Sequence, residues 1–294
     1  MQLNSPQPRP WHLLWRLLRA FAIAYLIVVV IAMLLETRLV YPVHMIPQGD
    51  WQAGGIEHTD VTFSSSDGTR LNGWYFQDRD PQAYVVYFHG NAVDIAGLAP
   101  TLDSMRDRFH ISIFAFDYRG YGRSQGRPNQ RGLIADGGAA QQWLARRAHL
   151  PLDRIVLWGR SLGGGVAVQV AMEQGTRALI LERTFSSMVD VAAFHDPWLP
   201  VRLLMRNRYN SVARIAHYQG PLFQAHGSAD EVVPIASAKR LFAAAAKAHL
   251  RQFIIMPNVT HNGPATKDFY TSLGEFLHKL PDVEPASGVK PSTP

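Results

Sequence analysis

Two stretches of this chain hold a serine between glycines in the pattern G-x-S-x-G: Gly122-Arg123-Ser124-Gln125-Gly126 and Gly159-Arg160-Ser161-Leu162-Gly163. A serine hydroxyl attacks a carbonyl effectively only beside a base and close to donors that stabilise the resulting oxyanion. A strand that runs through a tight turn straight into a helix supplies that setting, with small flanking residues avoiding clashes at the turn. Ser161 follows the strand-like Arg154–Trp158 and precedes the helix-like Gly163–Gln174, whose first turn is small. Ser124 is followed by Gly126, Arg127 and Pro128, which read as loop. Ser161 is therefore the expected nucleophile and Ser124 an ordinary loop serine.

A nucleophilic serine needs an imidazole base, and the base needs an orienting acid. With a strand–turn–helix nucleophile they follow in the order serine, acid, histidine. The strand-like Leu222–Ala225 ends in His226-Gly227-Ser228-Ala229-Asp230, which puts Asp230 just past a strand end, with Glu231 beside it as the nearest rival. Glu182, after the strand-like Ala178–Leu181, is a second rival that reads as a structural carboxylate. Of the twelve histidines, His261 alone follows a further strand, Gln252–Met256, on a turn-rich loop before the last helix, so it is the expected base. His226 reads as support for the acid turn. Two backbone amides should hold the oxyanion: Leu162, after the nucleophile, and Asn91, or else Ala92, in the turn that follows Tyr84–Phe88. His89 in that turn reads as structural.

The elements that must position these groups alternate along the chain. The remaining candidate strands are His58–Ser64, Leu71–Phe76, Ala83–Phe88 and Ile111–Phe116; the candidate helices are Ile95–Arg108, Leu133–His149, Gly163–Gln174, Ile235–His249 and Ala265–Lys279. Ser66-Asp67-Gly68-Thr69 marks a turn that would pair the first two strands as a hairpin. The rest predict an α/β domain over 58–280, a mostly parallel sheet of about eight strands with helices on both faces. Between Thr184 and Tyr218 the alternation pauses. That stretch, 184–218, carries apolar residues and Arg202, Arg206, Arg208 and Arg214, with no acid from Pro197 to Arg214. It reads either as a short cap that admits an acyl chain and meets anionic headgroups or as a helical excursion with a solvated basic face.

Ahead of this domain, Ala20–Leu35 is uncharged and apolar all round. Extended back to Leu13, with Arg16 and Arg19 snorkelling, 13–35 is long enough to span a bilayer. No small-residue cleavage pattern follows, so an uncleaved transmembrane anchor is expected rather than a signal peptide. Arg9, Arg16 and Arg19 precede the run, while Arg38 is set against Glu36 and Asp50 after it. The bias in positive charge puts the N-terminus, 1–12, in the cytoplasm and the large domain on the other side, which is periplasmic in a bacterium. Residues 36–57 read as a linker and 281–294 as a frayed tail.

Composition narrows the rest. The chain has 294 residues, 47% of them hydrophobic, a net charge of +6 and no cysteine. Disulfides, thiolate metal sites and a cysteine nucleophile are excluded. The arginines are scattered and no nucleic-acid-binding signature is present, so the basic balance fits an anionic lipid surface better than nucleic acid. No HExxH, nucleotide-binding loop or clustered Asp/His pattern points to a metal or organic cofactor, and the chemistry above needs none.

These motifs together resemble the α/β-hydrolase superfamily, and more narrowly the membrane-anchored α/β-hydrolase-domain proteins related to the yeast bud-emergence hydrolases. The resemblance rests on His89-Gly90-Asn91-Ala92, Asp117-Tyr118-Arg119-Gly120-Tyr121-Gly122-Arg123-Ser124, Gly159-Arg160-Ser161-Leu162-Gly163-Gly164, the His226-Gly227…Asp230 turn and His261-Asn262. It departs where Val93 and Asp94 stand in place of a common glycine, and where Thr260 rather than glycine precedes the base. The resemblance implies the α/β-hydrolase fold and an acyl hydrolase acting on an ester, thioester or lipid-like substrate. A peptidase with the same triad and a catalytically silent membrane-anchored binding protein are the rival readings.

Overall fold

The computed structural model of the chain describes residues 10–45 and 49–281. It opens with a single long helix, α1 (Pro10–Val40), followed by β1 (Thr59–Ser64), β2 (Arg70–Phe76) and β3 (Ala83–Phe88). Then come α2 (Ile95–Phe109), β4 (Ile111–Phe116), α3 (Gln130–Ala148), β5 (Val156–Arg160), α4 (Leu162–Gln174) and β6 (Ala178–Glu182). Three short helices, α5 (Met188–His195), α6 (Val201–Leu204) and α7 (Ser211–Ile215), form the insert, and β7 (Leu222–Gly227), α8 (Ile235–Ala244), β8 (Arg251–Met256) and α9 (Lys267–His278) complete the domain.

The eight strands make one sheet in the order β1-β2-β4-β3-β5-β6-β7-β8. The first two pairings, β1 with β2 and β2 with β4, are antiparallel; the others are parallel. Central strands are buried on both faces, and their side chains alternate between two cores. Val86, Phe88 and Leu157 belong to one core; Val85, Tyr87, Val156 and Trp158 belong to the other, with Phe269 and Phe276 of α9. The strand order reverses between β3 and β5, so the loops leaving those two strands diverge there and open a crevice at the carboxyl edge of the sheet.

Several boundaries differ from the sequence expectation. The first helix does not stop at Leu35 but runs on through Val40, and Tyr41 is buried. The stretch expected as a linker, 36–57, is thus helical at its start. Farther on, Trp51 packs edge-on against Trp74 at 5.6 Å. Among the described residues α1 is the one helix long and apolar enough to cross a membrane. The helix expected over Ile235–His249 ends at Ala244: Ala245 turns out of the helical conformation at ψ 38°, and the His249 amide donates to the Gln219 carbonyl at 3.2 Å. Apart from Pro281, the expected tail lies outside the described residues, as does most of the expected cytoplasmic segment 1–12.

Candidate active site

Strand β5 delivers its last residue, Arg160, into a turn that places Ser161 at φ 54°, ψ −119°. This left-handed backbone is costly for a residue with a Cβ. The turn is held by the Ser161 amide, which donates to the Glu182 carbonyl at 2.8 Å, and by Thr184 Oγ1, which donates to the Ser161 carbonyl at 2.7 Å. Two flanking glycines are required by space. A Cβ on Gly163 would lie 2.0 Å from the Phe88 carbonyl oxygen, and one on Gly159 2.5 Å from that of Gly163. Helix α4 thereby packs directly on the ends of β3 and β5, and its N-terminus points at the serine.

His261 sits on the loop after β8, with Nε2 2.9 Å from Ser161 Oγ and Nδ1 2.8 Å from Asp230 Oδ2. This geometry makes Nδ1 the donor to the carboxylate and leaves Nε2 to accept the serine proton. Asp230 Oδ1 accepts from the amides of Val232 at 3.0 Å and Val233 at 2.7 Å. Burial pushes the Asp230 carboxyl up, but the hydrogen bond from His261 and the Val233 amide outweigh it and hold the group below its ordinary range. Ser161, Asp230 and His261 are all nearly enclosed, between 6% and 8% exposed. The structure thus brings together the three residues expected from the chain order.

The rivals occupy other positions. Glu231 accepts from the His261 amide at 3.4 Å and does not contact the imidazole. Glu182 lies against Arg160 and Arg183 at 3.7 and 3.5 Å. Ser124 Oγ donates to the Asp117 carbonyl at 2.6 Å and accepts from the Asn72 amide, a turn-fixing role. His226 Nε2 donates to the Val233 carbonyl at 2.8 Å, bracing the acid turn, and burial pushes its imidazole down. His89 is fully buried, with Nδ1 bonded to the Gly90 carbonyl at 2.7 Å.

Asn91, Ala92 and Leu162 all line the cavity beside Ser161. Leu162 opens α4, so its amide is one of the helix's orphan donors. The Asn91 side chain proves more specific than a backbone role requires. Its Oδ1 accepts from Tyr121 Oη at 2.6 Å, and its Nδ2 donates to the Val40 carbonyl at 2.6 Å, fastening the turn to the end of α1.

Sequence reasoning missed the arginines that hold the histidine loop. Arg183, 2% exposed and itself at φ 50°, donates to the carbonyls of His261 at 2.7 Å and Gly263 at 2.8 Å. Arg160 donates to the same His261 carbonyl at 2.9 Å. The available signal was two arginines and a glutamate at the ends of adjacent strands β5 and β6. Two arginines of the insert's basic row are paired with acids: Arg206 Nε meets Glu36 at 3.0 Å and Arg202 meets Asp190 at 3.0 Å.

The site opens into a cavity of about 1040 Å³ walled by α1, the insert and the loops after β3, β7 and β8. Among the described residues no group of three or more His, Asp or Glu side chains is arranged to hold a metal ion.

Comparison with known proteins agrees with this architecture. Residues 84–212 match the family model described as the alpha/beta hydrolase fold. An uncharacterized protein of Mycobacterium tuberculosis is 40% identical over 214 residues, covering 71% of this chain and 74% of that one. The alpha/beta hydrolase domain-containing protein WAV2 of Arabidopsis thaliana is 32% identical over 242 residues, 76% of each chain. Among solved structures, an esterase from Pyrococcus furiosus superposes with a TM-score of 0.65 at 20% identity, covering 80% of this chain and 96% of that one.

Proposed function

The chain belongs to the alpha/beta-hydrolase fold family, and on that footing we propose that it is a serine hydrolase of carboxylic esters or thioesters, with Ser161 as nucleophile, His261 as base and Asp230 as the acid that orients it. The observation that carries this reading is the unbroken hydrogen-bond relay from Ser161 Oγ through His261 to Asp230, at 2.9 and 2.8 Å, at the floor of a mostly apolar cavity.

In this mechanism Ser161 Oγ attacks the substrate carbonyl carbon while His261 Nε2 takes the hydroxyl proton. The amides of Asn91 and Leu162 hold the oxyanion, which collapses as the C–O or C–S bond breaks and the imidazolium protonates the leaving group. Water, deprotonated by the same nitrogen, then attacks the acyl-enzyme and releases the carboxylic acid and free Ser161. Asp230 keeps the proton on Nδ1, so Nε2 stays available as the acceptor. The apolar cavity favours an acyl chain over a peptide. Helix α1 anchors the enzyme in the membrane, and the excess of arginine ahead of its apolar run puts the catalytic domain outside the cytoplasm.

Hydrolysis of a series of p-nitrophenyl esters and acyl thioesters by purified full-length protein tests the chemistry. Ser161→Ala should lower kcat/KM by at least about 10³-fold. Retention of turnover in that variant would assign the reaction to another group.

A further inference from the structure

Helix α1 is more than a tether. One of its faces, at the helical spacing Val29, Ala32, Met33, Glu36, Val40, is turned toward the domain and lines the cavity that contains Ser161 and His261. Across the cavity, Leu199, Val201, Leu204 and Met205 of the insert supply the opposing apolar wall. Polar bonds fix the two walls together. Glu36 accepts from the amides of Arg206 and Asn207, from Arg206 Nε and from Asn207 Nδ2, all within 3.0 Å. Farther up the helix, Tyr25 Oη donates to the Trp198 carbonyl at 2.8 Å.

The length of α1 locates this wall relative to a bilayer. The exposed run of α1 extends from Trp11 to Val28, but Trp11–Ala24, the part ahead of the Tyr25 bond to the insert, spans only about 21 Å at 1.5 Å per residue, less than the roughly 30 Å of a hydrocarbon core. A bilayer crossed by α1 therefore reaches past Tyr25 to the level of the insert. The insert presents Phe194, Trp198 and Leu203 there, each more than half exposed. Large apolar side chains at that position suit lipid rather than water. The cavity volume of about 1040 Å³ lies just above the roughly 300–1,000 Å³ range of small-molecule sites.

We propose that the face of α1 formed by Val29, Ala32 and Met33 is one wall of a long-chain acyl subsite, through which the hydrocarbon chain of a bilayer ester passes directly from the membrane to Ser161. This rests on the hydrolase reading above and specifies its substrate as a long-chain acyl ester. The carbonyl lies at Ser161, and the chain lies between α1 and the insert. Substrate selection is then exercised by the anchor, and chain length is read by residues outside the compact domain.

The test uses full-length protein in lipid nanodiscs and compares kcat/KM for p-nitrophenyl palmitate and p-nitrophenyl butyrate. Ala32→Trp fills the wall and should lower the palmitate-to-butyrate ratio tenfold or more. Met33→Trp, at a more exposed point of the same wall, should shift it in the same direction and guards against local collapse at the half-buried Ala32. A ratio within twofold of wild type in both variants overturns the proposal. A second measurement does not depend on turnover: Ser161→Ala protein is irradiated with a palmitate carrying a diazirine in its chain. Adducts on Ala32 and Leu204, competed by palmitate and not by butyrate, support the subsite even if no ester is hydrolysed, in which case only the hydrolase reading fails. Hydrolysis with unchanged chain-length preference, or adducts that butyrate removes equally well, overturns the subsite and leaves the hydrolase reading standing.

Discussion

Ser161 combines a strained backbone with a hydrogen-bonded relay in which His261, 100 residues later, bonds the serine and Asp230, on an earlier loop, bonds the histidine, and each relay member has a separable effect. Asp230→Asn keeps the shape but lets the imidazole carry its proton on Nε2, which cannot then accept from the serine. It should cost on the order of 10³–10⁴-fold in kcat with little change in melting temperature. Arg183 acts one step farther out, holding the His261 and Gly263 carbonyls. Arg183→Gln should lower kcat by roughly 10–100-fold through misplacement of the imidazole, while KM for a small ester moves less than twofold; an equal loss in both would mean the arginine shapes the binding cavity instead. Asp117 gives a pH signature. Fully buried 3.7 Å from His89 Nε2, its carboxyl is pushed up to about 8 by burial. The folded chain therefore keeps a proton that the unfolded chain releases near pH 4. Stability linked to this group is complete below that pH and is lost as the pH rises toward 8. Asp117→Asn lacks this proton, so its stability relative to wild type should increase from pH 4 to 8 and level off above, as read by denaturant unfolding at each pH.

At the scale of elements, the triad was legible because each member sits at a strand end followed by turn residues, and β-branched or aromatic runs mark those strands. The elbow could be told from the other G-x-S-x-G because a strand precedes Ser161 and the helical run Gly163-Gly164-Gly165-Val166 follows it, whereas Gly126-Arg127-Pro128 after Ser124 reads as loop. What escaped notice was long-range and side chain to backbone. Arg183 reaches a carbonyl 78 residues away, and Asn91 reaches one 51 residues away; neither contact leaves a local pattern. Glu36 was legible only as a charge ending an apolar run. Its real function is to join two elements, since it supplies acceptors to Arg206 and Asn207 and carries α1 onto the insert. Glu36→Ala would leave the buried Asn207 amide and Nδ2 unpaired, while the exposed Arg206 side chain turns to solvent, and should destabilise the α1–insert contact by about 1–3 kcal/mol. Faster proteolysis within 184–218, with the central sheet still protected, would register that loss; uniform protection would show that the ion pair contributes little.

For the whole molecule, the crevice at the strand-order reversal and the apolar helix line one cavity, so the proposed anchor and the proposed catalytic site share a wall. The absence of cysteine makes the proposed membrane orientation easy to test. Lys279→Cys introduces a lone thiol at the end of the domain, and a membrane-impermeant maleimide should label it in cells whose cytoplasmic membrane is intact. Labelling only after that membrane is permeabilised would reverse the orientation. The central claim, an activated serine at the β5–α4 turn, is tested most directly by reacting the full-length protein with a fluorophosphonate and mapping the adduct by peptide mass spectrometry. The account predicts one adduct, on Ser161, that disappears in both Ser161→Ala and His261→Ala and persists in Ser124→Ala. An adduct on Ser124, or none on folded wild-type protein, would contradict it.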